Sequence, residues 1–194
     1  IPSHPNDSAT IYILSPDSIV LNKFSYTDDM HFELIKDPEG VSLERILLNS
    51  NNSNANLSWH SAAENVGWGT PRVANSQYIP SMSNSDFSAL NEVFSPDNDG
   101  YQDIAVFTYN LPTIGMVGNA VIYDNRGRLI KQILNNELLS ASGEFSWDGI
   151  NEYGQKAYVG IYLVYFECFS NDGQIINYKA CLLYTSDAAD DALS

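Results

Sequence analysis

The chain is poor in basic residues. Lys plus Arg number 9 against 24 for Asp plus Glu, a formal net charge of -15 over 194 residues. Such a chain is repelled by phosphate backbones and by anionic lipid surfaces. Nucleic-acid binding and membrane attachment through a basic patch are therefore excluded. Cysteine is scarce as well: Cys168 and Cys181 are too few to form a disulfide framework. No apolar run approaches the length of a membrane-spanning helix, so direct membrane insertion is not expected. No long apolar stripe of 3.6-residue period marks an amphipathic helix. The sequence opens at Ile1, without Met or a signal peptide, and reads as a gene fragment.

What remains is aromatic and β-prone. Hydrophobic residues make up 44%, enough for a true core, and there are 12 tyrosines. Tyr and β-branched residues suit a pleated, half-buried surface. Short alternating runs separated by Gly, Asn, Asp and Pro predict strands at Thr10–Leu14, Ser18–Lys23 and Val41–Leu47. Further strands are predicted at Leu90–Phe94, Ile104–Tyr109, Ala120–Tyr123, Leu129–Leu134, Glu144–Trp147, Ile161–Phe169 and Gln174–Lys179. Asp124-Asn125-Arg126-Gly127 and Asn171-Asp172-Gly173 supply turn residues that tolerate positive φ. Tyr162, Val164, Phe166 and Cys168 share one strand face and should point into a core. The expected fold class is all-β, with two immunoglobulin-like β-sandwich units, the first truncated.

Two stretches punctuate this pattern. Residues 49–56 (NSNNSNAN) form a polar low-complexity loop, and 79–87 read as a linker between the units. The end changes character: 181–194 read CLLYTSDAADDALS, rich in Ala, Asp and Ser, and are expected to lie outside the fold. From Cys181 to about Asp191 this segment resembles the translation of a transposase adaptor used in sequencing libraries.

The second half carries four blocks: FSPDNDGYQD (94–103), VIYDNRGRLI (121–130), WDGINEYGQKAYVGIYLVYF (147–166) and a closing strand with Tyr178-Lys179. On these, 88–180 resembles the gliding-motility-associated C-terminal domain, a relative of the immunoglobulin-like domain of the flagellar hook-assembly protein FlgD. The resemblance implies a sorting signal for type IX secretion at the end of a secreted or cell-surface bacterial protein. Its implied partners are the secretion machinery or cell-surface components. The first half carries NDSATIYIL, DDMHFELIKDPEGVSLERI and NLSWHSAAENVGWGTPRVANSQY. On these, 1–78 resembles the latter part of a bacterial lamin-tail domain whose opening strands are absent here.

One short stretch raises a metal question. In FSPDNDGYQD, Asp97, Asp99 and Asp103 place three carboxylates around Gly100. An EF-hand needs alternating oxygen ligands, a glycine at the sixth position and a bidentate Glu at the twelfth. Counting Ser95 as first, Asp97, Asp99 and Gly100 keep the register, but the twelfth residue is Val106. The stretch is not an EF-hand. It reads as an Asx-rich turn whose carboxylates accept backbone N–H groups, with calcium on the three aspartates as the alternative.

Catalytic signals are absent. His4, His31 and His60 are scattered, and His60-Ser61 has no spacing that supports a triad. Cys168, on an apolar face, reads as a small buried hydrophobe. The sequons at Asn6, Asn51 and Asn56 are short patterns that recur by chance in Asn/Ser-rich chains. The expectation is no enzymatic activity. Two functional classes stay open: a secretion and surface module, or an accessory substrate- or calcium-binding module of a larger extracellular hydrolase or nuclease.

Overall fold

The computed structural model describes residues 5, 7–46, 58–78 and 86–186. His4, the three sequon asparagines, the 49–56 loop, Leu47, and 79–85 and 187–194 lie outside the described residues. The chain divides into two compact units, Ile1–Tyr78 and Ile79–Ser194. Both are built of strands, with two single turns of 3₁₀ helix, Asp28–Met30 and Glu64–Val66, among the described residues. No helix is long and apolar enough to cross a membrane.

The second unit is a two-sheet sandwich. Its strands are β5 (Asp86–Ala89), β6 (Val93–Phe94), β7 (Ala105–Asn110), β8 (Val117–Asp124), β9 (Leu129–Leu138), β10 (Ser142–Trp147), β11 (Gly160–Phe169) and β12 (Ile175–Tyr184). One sheet has three strands in the order β10-β7-β5, the other five in the order β6-β12-β11-β8-β9. Alternation along β11 explains the layering. Tyr162, Val164, Phe166 and Cys168 are all buried, as their shared face predicts. They meet Phe107, Tyr109, Phe145 and Trp147 from the facing sheet, and aromatic rings fill most of the space between. The predicted turns form: Gly127 (φ 74°) and Gly173 (φ 87°) adopt the left-handed conformation that closes β8–β9 and β11–β12.

Two boundaries differ from the sequence reading. The expected linker 79–87 overlaps β5, whose Asp86 and Phe87 pair with Asn110 and Tyr109 of β7. Phe87 packs against Phe166, with ring centroids 5.2 Å apart, so this residue has a burial site that its Ser/Asn-rich surroundings conceal. At the other end, 181–194 does not begin outside the fold. Strand β12 runs through Cys181–Tyr184, pairs with β11 from Gly160 to Leu163, and takes up a parallel pairing with Val93 and Phe94. The reason is periodicity. Ile176, Tyr178, Ala180, Leu182 and Tyr184 occupy every second position, and the last two are only 1% and 5% exposed.

The first unit holds two separate antiparallel pairs: β1 (Ser8–Leu14) with β2 (Val20–Thr27), and β3 (Leu43–Arg45) with β4 (Trp59–Ser61). The β4 strand was not predicted. The β1–β2 hairpin is largely exposed, Ile13, Leu14, Val20 and Leu21 included. Among the described residues its aromatic contact with the rest of the unit is Phe24 stacked on Trp59, with centroids 3.9 Å apart. Among the described residues the unit's fully buried apolar side chains are small, Ala62 and Ala63. A buried carboxylate binds the segments instead. Glu44 accepts from the Ser76 amide and hydroxyl, each at 2.7 Å, and from the Thr70 hydroxyl.

Replacing a buried leucine by alanine removes transfer energy and leaves a cavity. Leu182→Ala should therefore lower the second unit's stability by about 2–5 kcal/mol in chemical denaturation. An unchanged midpoint and slope would show that Cys181–Tyr184 lie outside the core.

Candidate functional site

The three aspartates of FSPDNDGYQD meet in the connection between β6 and β7. Each offers one carboxylate oxygen, and these lie within 4.8 Å of one another, forming the one group of three metal-capable side chains among the described residues. The connection folds on itself through side-chain-to-backbone bonds. Asp103 accepts from the Asn98 amide at 2.6 Å and the Gly100 amide at 2.9 Å. Asp97 accepts from the Asp99 amide at 3.1 Å and the Ser95 hydroxyl at 3.2 Å. Asp99 accepts from the Tyr101 amide at 2.7 Å. Asn98 (φ 66°), Gly100 (φ 90°) and Gln102 (φ 55°) all sit in the left-handed region, which turns successive N–H groups inward. Asp103 thus faces back towards the turn, two residues before β7 begins.

Neighbouring segments hold this loop against the sandwich. Lys156 donates to the Pro96 carbonyl at 3.1 Å. Gly149 (φ 78°) lets Pro96 approach closely: a Cβ there would lie 2.8 Å from the proline ring. Val106, at the twelfth position of the EF-hand count, is a β7 residue with no oxygen to offer, so the loop has no bidentate closing ligand. The carboxylates' charge is already met by four amides and one hydroxyl. The arrangement works as a turn without a cation, and its oxygens are the ones available should a calcium ion bind.

The two described histidines, His31 and His60, do not build a catalytic set. His60 does not reach the Ser61 hydroxyl; its Nδ1 lies 2.9 Å from the Ser61 carbonyl. The hydroxyl instead lies 3.0 Å from Nδ1 of His31 and accepts from the Phe32 amide, also at 3.0 Å. Sequence reasoning missed this pairing across thirty residues. Ser61 is fully buried, so no substrate reaches its oxygen; the contact fastens the Asp28–Met30 turn to β4. Burial pushes both imidazoles below their ordinary range, with Asp28 opposing the shift at His31, and the Ser61 carbonyl and Glu44 opposing it at His60. Both rings are thus favoured in the neutral form. Burial also pushes the Cys168 thiol up to about 12, which keeps it an unreactive thiol at neutral pH.

Comparison with family models finds no match, and comparison with curated proteins finds none. Among solved structures, the chain is similar to FlgD from P. aeruginosa at 21% identity and a TM-score of 0.36, covering 50% of this chain and 66% of that one. It is similar to CopC from Methylosinus trichosporium OB3b at 18% identity and a TM-score of 0.35, covering 54% of this chain and 96% of that one. A third similarity is to PorZ, an essential bacterial surface component of the type-IX secretion system of Porphyromonas gingivalis, at 17% identity and a TM-score of 0.31. That match covers 50% of this chain and 11% of PorZ. At these TM-scores none of the three bears on function.

Because donors within the loop already offset its charge, added calcium should leave the second unit's melting temperature unchanged, and chelator likewise. An upward shift of several degrees, reversed by chelator and abolished by Asp97→Ala, would contradict the turn and establish a calcium site by mass action.

Proposed function

We propose that this chain is the non-catalytic C-terminal region of a secreted or cell-surface bacterial protein, acting in type IX secretion sorting and surface attachment. The observation that carries this reading is the resemblance of the second half to the gliding-motility-associated C-terminal domain. Its blocks fall on distinct parts of one sandwich: the β6–β7 loop, the β8–β9 turn, the β10–β11 connection, and β12. A recognition signal for export machinery needs a stable scaffold that presents fixed loops, and this sandwich has that form. Among the described residues the Ser61 hydroxyl that meets His31 is fully buried, which favours a binding or sorting role over a catalytic one. The first unit enters through its resemblance to a lamin-tail domain, as a further surface module.

A second reading is favoured by one observation, the three converging carboxylates of the β6–β7 loop. On that reading the chain is an accessory substrate- or calcium-binding module of a larger extracellular hydrolase or nuclease. The encoded sequence upstream separates the two: a catalytic domain supports the accessory reading, further β-sandwiches the surface reading.

The sorting role has a direct test. A passenger fused ahead of the full chain should appear outside a bacterium that has type IX machinery and stay inside an otherwise identical strain that lacks it. Retention in both strains would contradict the proposal.

A further inference from the structure

Of the basic residues in 79–194, namely Arg126, Arg128, Lys131, Lys156 and Lys179, three line a single groove. Arg126, Arg128 and Lys156 border an open depression of about 630 Å³ between the β8–β9 turn and the connection from β10 to β11. Asp124 lines it too and pairs with Arg128, and Lys156 donates to the Pro96 carbonyl, so the lining carries three cations against one carboxylate in a chain of net charge -15. Two tyrosines stand over the same groove, Tyr153 and Tyr158, 87% and 86% exposed. Large rings held this far into water do nothing for the fold, and exposed aromatic surface rimmed by polar groups marks a binding face.

The platform is pinned. The Ala157 amide donates to the Gly149 carbonyl at 2.8 Å, and the Tyr162 hydroxyl donates to the Tyr158 carbonyl. Asn151 Oδ1 accepts from the Tyr153 and Gln155 amides at 2.9 and 3.0 Å, which fixes the turn that carries Tyr153. Arg128 is committed to Asp124 at 2.7 Å, whereas the exposed Arg126 guanidinium has no partner among the described residues. The backbone beneath the rings is fixed, so a ligand has side chains alone to order.

The groove also rejects one class of occupant. The neighbouring β9 is the outer strand of its sheet, but Glu152 caps its edge here. The Glu152 amide donates to the Ile130 carbonyl at 2.9 Å, and its carboxylate accepts from the Gln132 amide at 2.5 Å. An extended peptide cannot add as a strand at this place. Recognition must come from side chains: flat rings, planar amide donors and a free guanidinium. A sugar ring offers the matching surfaces, an apolar C–H face for a tyrosine and an equatorial edge of hydroxyls for amides. A carboxylate on that ring suits the paired N–H fork of Arg126.

We propose that this groove binds an acidic polysaccharide of the uronic-acid type, with Tyr153 and Tyr158 as stacking surfaces and Arg126 as the carboxylate ligand. The inference is independent of how the protein is exported. It is tested on the full chain with polygalacturonate as probe, in chelator so that the β6–β7 aspartates cannot contribute through calcium. Polygalacturonate should bind, and Arg126→Ala and the double variant Tyr153→Ala/Tyr158→Ala should each weaken binding by about tenfold or more with melting unchanged. Should the double variant melt early, Arg126→Glu carries the same expectation. Neutral dextran and polyglutamate should both bind far more weakly. Absence of polygalacturonate binding, or binding indifferent to these variants, would overturn the proposal. Equal binding of dextran would place recognition on the rings alone, and equal binding of polyglutamate on charge alone; either result contradicts it.

Discussion

Phe166 occupies the middle of the second unit, and its surroundings explain why the two sheets stay together. Its ring centroid lies 5.2 Å from those of Phe87 and Phe145, 5.3 Å from Tyr109 and 5.8 Å from Tyr178. Those partners come from β5, β7, β10 and β12, so one side chain of β11 touches both sheets. Tilted and offset ring pairs of this kind add about 0.5–1.5 kcal/mol each beyond the burial of their area. A second aromatic group continues the seam, with Trp147 against Phe94 and Tyr162 at 5.3 and 5.0 Å. Without this contact the strands would be two half-buried sheets with nothing to cover them.

The rigid seam is what allows the loops to be polar and conformationally unusual. The β6–β7 loop concentrates three left-handed residues and three carboxylates, yet its ends are fixed by Phe94, which is fully buried, and by β7. The groove depends on the same seam, because Tyr162 sits in the core and also holds the backbone of Tyr158. The first unit is organised differently. Among the described residues it has few large buried apolar groups, and Glu44 substitutes hydrogen bonds for hydrophobic contact, with partners that leave its carboxylate satisfied. Such a network holds segments in register, but a buried charge costs desolvation that a ring stack does not.

Much of the second unit is legible in the sequence, because β7, β10 and β11 alternate cleanly and the turns contain residues chosen by backbone geometry. Elsewhere local composition conceals the period. Phe87 reads as linker because Ser and Asn surround it, and Leu182 and Tyr184 read as lying outside the fold because the residues after them change character. The three-residue strand at Trp59–Ser61 is too short for alternation to register. The aspartate loop could be read because the bonds its carboxylates accept span at most five residues. The groove could not, since its two sides come from separate connections that only the folded sheet brings together. The isolated signal was Tyr153 and Tyr158 in a polar, glycine-bearing connection, where a simple turn has no need of rings.

Hydrogen exchange on the intact chain tests most directly the claim that the aromatic sandwich is the stable body and that the β1–β2 hairpin depends on little beyond one ring stack. Amides of β7, β8, β11 and β12, including 182–184, should exchange slowest and as one cooperative group, while those of β1 and β2 exchange first. Protection of β1 and β2 equal to or above that of β11 would contradict the account.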